Sequence, residues 1–107
     1  MNEITNNSSK CSMALMALHN VLDPEIGLNV VDLGLIYEIN FDDVNSKINV
    51  AMSLTSQFCP MGESIIAAVK RVLETTFSGM DIQLDLIFNP PWNPEMISDK
   101  GKEFLFL

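Results

Sequence analysis

Leu35-Ile36-Tyr37-Glu38-Ile39-Asn40-Phe41, then Asp42-Asp43-Val44-Asn45-Ser46, then Lys47-Ile48-Asn49-Val50-Ala51-Met52-Ser53-Leu54 is the stretch that decides the fold. In the first run Leu35, Tyr37, Ile39 and Phe41 alternate with Ile36, Glu38 and Asn40. In the second, Ile48, Val50, Met52 and Leu54 alternate with Lys47, Asn49, Ala51 and Ser53. Successive side chains of an extended chain point to opposite faces, so a period of two over both runs predicts two half-buried strands. The short polar link between them predicts an antiparallel hairpin.

Toward the N-terminus, Cys11, Leu15, Leu18 and Leu22 recur at spacings of four, three and four, which predicts a helix over residues 10–22. Ser8 or Ser9 is placed to cap it, and residues 1–9 read as a flexible N-terminal tail. Asp23-Pro24 is expected to stop that helix, because proline disfavours helical geometry in the residue before it. Residues 25–34 then form a loop pinned down by Ile26, Leu28, Val30, Val31 and Leu33. Beyond the hairpin, Ile65, Val69, Val72 and Thr76 predict a second helix over residues 60–77, with Gly79 past its end. Ile82, Leu84, Leu86 and Phe88 alternate with Gln83 and Asp85, predicting a third strand over residues 81–88. The order is αββαβ, followed by a proline-rich loop and a short C-terminal helix. This is a two-layer α/β (α+β) domain over residues 10–107. Its mixed three-stranded sheet is covered on one face by two helices, and the helical crossover requires a parallel pairing.

A chain of 107 residues supports one core, and although 48% of it is apolar, no apolar run approaches the length of about 20 residues that spans a bilayer. Fourteen acidic against six basic side chains give a formal charge of −8, which repels phosphate backbones and anionic lipid surfaces. Nucleic-acid and membrane partners are therefore not expected. The polar start, Met1 to Ser9, lacks the apolar stretch of a secretory signal, so a cytoplasmic protein is expected.

Chemistry centres on Cys59. Cys59-Pro60 falls where the second strand gives way to the second helix, and unpaired N–H groups and the helix dipole favour a thiolate at such a place. A buried packing cysteine is the competing reading, and it is the one adopted for Cys11 on the first helix's apolar stripe. Thr55 and Ser56 offer hydroxyl groups in the same connection. Asp23 and Glu25 flank a proline and would aim two carboxylates from one turn; by themselves they read as a helix stop followed by solvated acids. Pro91 and Trp92 belong to Asn89-Pro90-Pro91-Trp92-Asn93-Pro94, a stiff segment that either caps the core or forms a wall beside Cys59. His19 reads as a surface residue. One thiol and one distant histidine are too few for zinc or a cluster, so a metal site at Cys59 is incomplete without ligands from elsewhere.

Three segments together resemble a known family. They are Asp23-Pro24-Glu25-Ile26-Gly27-Leu28-Asn29-Val30-Val31-Asp32-Leu33-Gly34-Leu35-Ile36-Tyr37, Thr55 through Cys59-Pro60, and Pro90-Pro91-Trp92-Asn93-Pro94-Glu95. In order and spacing they are similar to the metal-sulfur cluster assembly domain, a former domain of unknown function. SufT-like and PaaD-like proteins and eukaryotic cytosolic iron–sulfur assembly factors share it. The resemblance spans residues 14–98 and implies an αββαβ fold with Asp23, Glu25, Thr55, Ser56 and Cys59 at the site. Ser56 and Gln57 stand where family members commonly carry a second threonine and a proline. No cysteine-rich extension of the PaaD-like kind is seen, which points to the shorter SufT-like class.

What the resemblance implies is an accessory factor in iron–sulfur cluster assembly or iron–sulfur protein maturation. Cys59 would transiently engage iron, an iron–sulfur cluster or a persulfide, and the partners would be the assembly machinery and client apoproteins. Two other readings stay open. One is a small thiol enzyme with Cys59 as nucleophile and Asp23 or Glu25 as base, which lacks a histidine partner. The other is a structural adaptor without thiol chemistry. A homodimer is also left open by the apolar end, Phe104-Leu105-Phe106-Leu107.

Overall fold

The computed structural model describes residues 4–24, 26–55 and 62–105. The expected αββαβ order is present. It runs through α1 (Ser8–Leu18), β2 (Ile36–Asp42), β3 (Lys47–Met52), α2 (Gly62–Thr76) and β4 (Asp81–Leu86), with β1 (Ile4–Thr5) ahead of them. A 3-10 turn (Pro94–Met96) and α3 (Asp99–Leu105) follow. The hairpin pairs β2 with β3 antiparallel, and the crossover through α2 returns β4 parallel to β3. The mixed sheet runs in the order β1-β2-β3-β4.

The expected mixed three-stranded sheet is present as β2, β3 and β4, and the segment read as a tail over residues 1–9 adds to it from residue 4 onward. Ile4 and Thr5 pair parallel with Glu38 and Ile39, adding a short fourth strand. Asn6 fixes the junction, because its side chain donates to the Phe41 carbonyl and accepts from the Phe41 N–H, each at 2.9 Å. The cap of α1 is Asn7, not Ser8 or Ser9: its backbone is extended and its side-chain oxygen accepts from the Lys10 N–H at 3.1 Å.

Helix α1 buries Cys11, Ala14, Leu15 and Leu18 and ends at Leu18, short of Asp23-Pro24. It stops early because a competing partner takes the next peptide groups. Val30 N–H donates to the Val21 carbonyl and Asp23 N–H to the Leu28 carbonyl, both at 3.0 Å, and Leu22 bridges Asn29. The chain therefore turns back on itself between residues 21 and 30. The apolar anchors of this loop are packed as expected, with Leu28, Val30, Val31 and Leu33 all buried.

Strand β2 departs from strict alternation. Ile36 faces Met52 and Glu38 faces Ala51, so Tyr37 is the extra residue of a β-bulge. The bulge puts Ile36, not Tyr37, in the buried set with Ile39 and Phe41. The edge strand β4 also departs from the expected pattern: Ile82 is buried, but Leu86 is 38% exposed.

Helix α2 buries Ile65, Val69 and Leu73 at spacings of four, and with α1 covers one face of the sheet. Phe41 and Phe77 meet edge to face at 5.5 Å in that layer. The opposite face carries Asn40, Asn49, Gln83 and Asp85 and is polar, as suits a sheet covered by helices on one side and solvated on the other. No helix among the described residues is long and apolar enough to cross a membrane.

Gly34 has φ +78, and a Cβ there would run into the backbone carbonyl and side chain of Met96, whereas one at Gly27, at φ +81, meets nothing within 4 Å among the described residues. Gly34→Ala should therefore cost about 3 kcal/mol, the left-handed penalty plus overpacking, and Gly27→Ala about 1 kcal/mol. Urea unfolding midpoints of the two variants check this ordering.

Candidate functional site

Asp23 opens the turn that reverses the chain after α1. Its carbonyl accepts from the Ile26 and Gly27 N–H groups at 3.3 and 2.7 Å, and its carboxylate Oδ1 accepts from the Ile26 N–H at 3.3 Å. This is an Asx-type turn, closed by Gly27 in the left-handed region. Asp23 is 1% exposed, so the reading of a solvated acid after a helix stop is corrected: the carboxylate is buried within the turn it organises.

Thr55, half-buried, ends the extension of β3, after Ser53 N–H has donated to the Leu35 carbonyl at 2.8 Å. Glu25, Ser56 and Cys59 lie outside the described residues. The positions flanking 55–61 are in contact, since a Cβ on the buried Gly62 would sit 2.8 Å from the Leu54 Cδ1. The start of α2 is thus held against the end of β3, with the carboxylate of Glu63 in its first turn.

Pro24 and the residues just before Asp23 share a groove with one side of α2, from Ser64 to Val72. Its volume is about 330 Å³, and Leu22, Pro24, Ser64, Ala68 and Arg71 are among its walls. Two of the motifs singled out in the sequence, the acidic turn and the helix preceded by Cys59-Pro60, are therefore brought side by side. Among the described residues, no three His, Cys, Asp or Glu side chains lie close enough together to hold a metal ion.

The proline-rich segment is tied to the loop before β2. Trp92, half-buried against the core, donates its indole N–H to the Leu33 carbonyl at 2.6 Å, while Pro91 is exposed. Tyr37, turned out of the buried set by the bulge, donates its hydroxyl to the Pro90 carbonyl at 3.1 Å. A second, larger groove of about 840 Å³ lies between this segment and the polar face of the sheet, lined by Glu38, Ala51, Ile87 and Met96 among others.

Asp32 carries a network that has no counterpart in the sequence reading. Its carboxylate accepts from Asn29 Nδ2 at 2.7 Å and Ser98 Oγ at 2.8 Å, and its carbonyl accepts from the Ser98 N–H. Ser98 Oγ in turn accepts from the Gly101 N–H and caps α3. His19 Nε2 stands 3.9 Å from the same carboxylate, its ring held by Nδ1 donating to the Leu15 carbonyl. The three-residue spacing of Asn29 and Asp32 is an Asx-turn signal, but the distant Ser98 left no local trace.

Burial raises the Asp32 pKa, but the hydrogen bonds from Asn29 and Ser98 and the charges of His19 and Lys100 more than offset it, leaving the carboxyl below its ordinary value of 3.8. Such a group holds its proton less readily folded than unfolded. Its contribution is complete above that ordinary value and is lost as the pH falls through the lowered folded-state value. Asp32→Asn should lower stability at pH 7 by about 2 kcal/mol and flatten the acid limb of the stability profile. Urea unfolding at pH 7 and below pH 4 measures both.

The comparisons with known proteins converge. The profile of the family described as iron–sulfur cluster assembly protein matches residues 12–83. The Fe-S protein maturation auxiliary factor SufT of Staphylococcus aureus (strain USA300) is 43% identical over 82 residues, covering 77% of this chain and 92% of that protein. The Fe-S protein maturation auxiliary factor YitW of Bacillus subtilis (strain 168) is 35% identical over 86 residues, 80% of this chain and 83% of that one. Among solved structures, a domain of unknown function from Bacillus anthracis superposes with TM-score 0.83 at 33% identity, covering 94% of this chain and 99% of its own. A conserved hypothetical protein from Thermotoga maritima gives TM-score 0.76 at 33% identity, covering 100% and 99%.

Proposed function

This chain belongs to the iron–sulfur cluster assembly protein family, and we propose that it is an accessory factor in the maturation of iron–sulfur proteins, with Cys59 as the thiol that transiently engages iron, a cluster or a persulfide. The relatives named as Fe-S protein maturation auxiliary factors support the general role. The observation that carries the finer reading is the shared groove: Pro24 of the acidic turn and Ser64 of α2 line one cleft, and Cys59 stands three positions before Gly62, where α2 begins.

In this reading Asp23, Glu25, Thr55 and Ser56 frame the thiol. The buried Asp23 holds the turn beside α2, and the Pro91-Trp92 segment braces the loop behind it. A single thiolate leaves the remaining positions of iron or a cluster to ligands from another molecule, which suits hand-over more than storage. The partners are then the assembly machinery and client apoproteins, engaged in the cytoplasm.

In a strain lacking this protein, Cys59→Ser should restore cluster-dependent enzyme activity no better than an empty vector. Asp23→Asn, which keeps an acceptor for the Ile26 N–H but loses the charge, should restore part of it. Enzyme activities normalised to the amount of variant protein check both, and full restoration by Cys59→Ser would leave an adaptor without thiol chemistry.

A further inference from the structure

Among the described residues, strand β4 is the last strand of the sheet and is hydrogen-bonded to β3 alone. Asp81 N–H donates to the Ser46 carbonyl and Ile87 N–H to the Met52 carbonyl, each at 2.8 Å, so the odd-numbered residues turn their peptide groups toward β3. In a pleated strand the even-numbered ones then turn theirs outward. The N–H and C=O groups of Ile82, Leu84 and Leu86 point away from the sheet, and no described residue pairs with them. Proline, a bulge and a covering strand, three of the usual protections of such an edge, are missing: β4 contains no proline, its six residues pair with β3 in unbroken register, and no described element adds a further strand, so its charges alone guard it. Leu86 is 38% exposed there.

The charge on this edge selects its occupant. Asp81, Gln83 and Asp85 are exposed on the polar face, and Asp85 shares a row across the sheet with Ala51 and Glu38. A second copy is disfavoured, because antiparallel pairing of two β4 strands would crowd the aspartates of both, on chains of formal charge −8 each. We infer that the free edge of β4 accepts, by strand addition, an extended segment of a partner protein bearing Lys or Arg at alternate positions. The basic side chains lie opposite Asp81 and Asp85, and the apolar ones between them lie against Leu84 and Leu86. Main-chain hydrogen bonds hold the segment and the alternating pattern selects it. The inference stands on β4 alone and does not depend on the fate of Cys59.

The test uses the full chain and a capped heptapeptide of alternating lysine and valine, with an alternating glutamate and valine heptapeptide as control, followed by amide hydrogen exchange in NMR spectra. The lysine peptide should slow exchange at Ile82, Leu84 and Leu86 by about tenfold or more and leave Gln83 and Asp85 unchanged, and the control peptide should do nothing. Asp85→Lys, at an exposed position, and Leu86→Pro, which removes an outward N–H that β3 does not use, should each weaken binding about tenfold with the circular dichroism spectrum intact. Protection absent from these three amides, equal protection by the glutamate peptide, or the same protection arising from self-association without peptide would overturn the inference.

Discussion

The carboxylate of Asp32 is the constraint on which the arrangement depends. It closes the Asn29 turn, receives Ser98 at the start of α3 and lies near His19 at the end of α1, so one buried acid joins three segments far apart in sequence. The loop between α1 and β2 needs this, because it is apolar enough to be buried yet irregular, and the polar groups that its own turns leave unpaired must find partners elsewhere. Trp92 serves the same loop at the Leu33 carbonyl, and Met96 presses against Gly34. The C-terminal segment thus acts as a strap across the loop, and the Asp23 turn, at the loop's beginning, inherits its position from that strap.

Much of the fold was legible because it rests on periodicity. The hairpin, the parallel return through α2 and the buried stripe of that helix follow from apolar spacing alone. The departures share a cause, since each depends on a partner remote in the chain. The end of α1 is set by residues 28–30 folding back onto residues 21–23. Strand β1 exists because β2 offers it a parallel edge, a pairing that a two-residue segment cannot announce. The bulge at Tyr37 frees its hydroxyl to reach Pro90, and only the distant segment explains why alternation breaks there.

The candidate site was legible in its residue types and less so in its environment. An aspartate followed by proline after a helix reads as a solvated stop, and its burial depends on a turn whose closure needs Leu28. Trp92 was recognised as either a core cap or a wall, and its bond to Leu33 gives the first role a geometric basis. Cys59 lies outside the described residues, so its proposed role rests on the chain's family and on its place in the sequence, between a strand end and a helix start that are held in contact. That combination suits an exchangeable ligand, because one thiolate near a helix N-terminus binds without completing a coordination shell.

The most direct test is anaerobic incubation of the purified protein with ferrous iron, sulfide and a small thiol that supplies the missing ligands, followed by rapid desalting, absorption spectra and iron determination for wild type and Cys59→Ala. The account predicts thiolate-to-iron charge-transfer absorption and retained iron in the wild type and neither in the variant. Equal spectra and equal iron in the two proteins would contradict it.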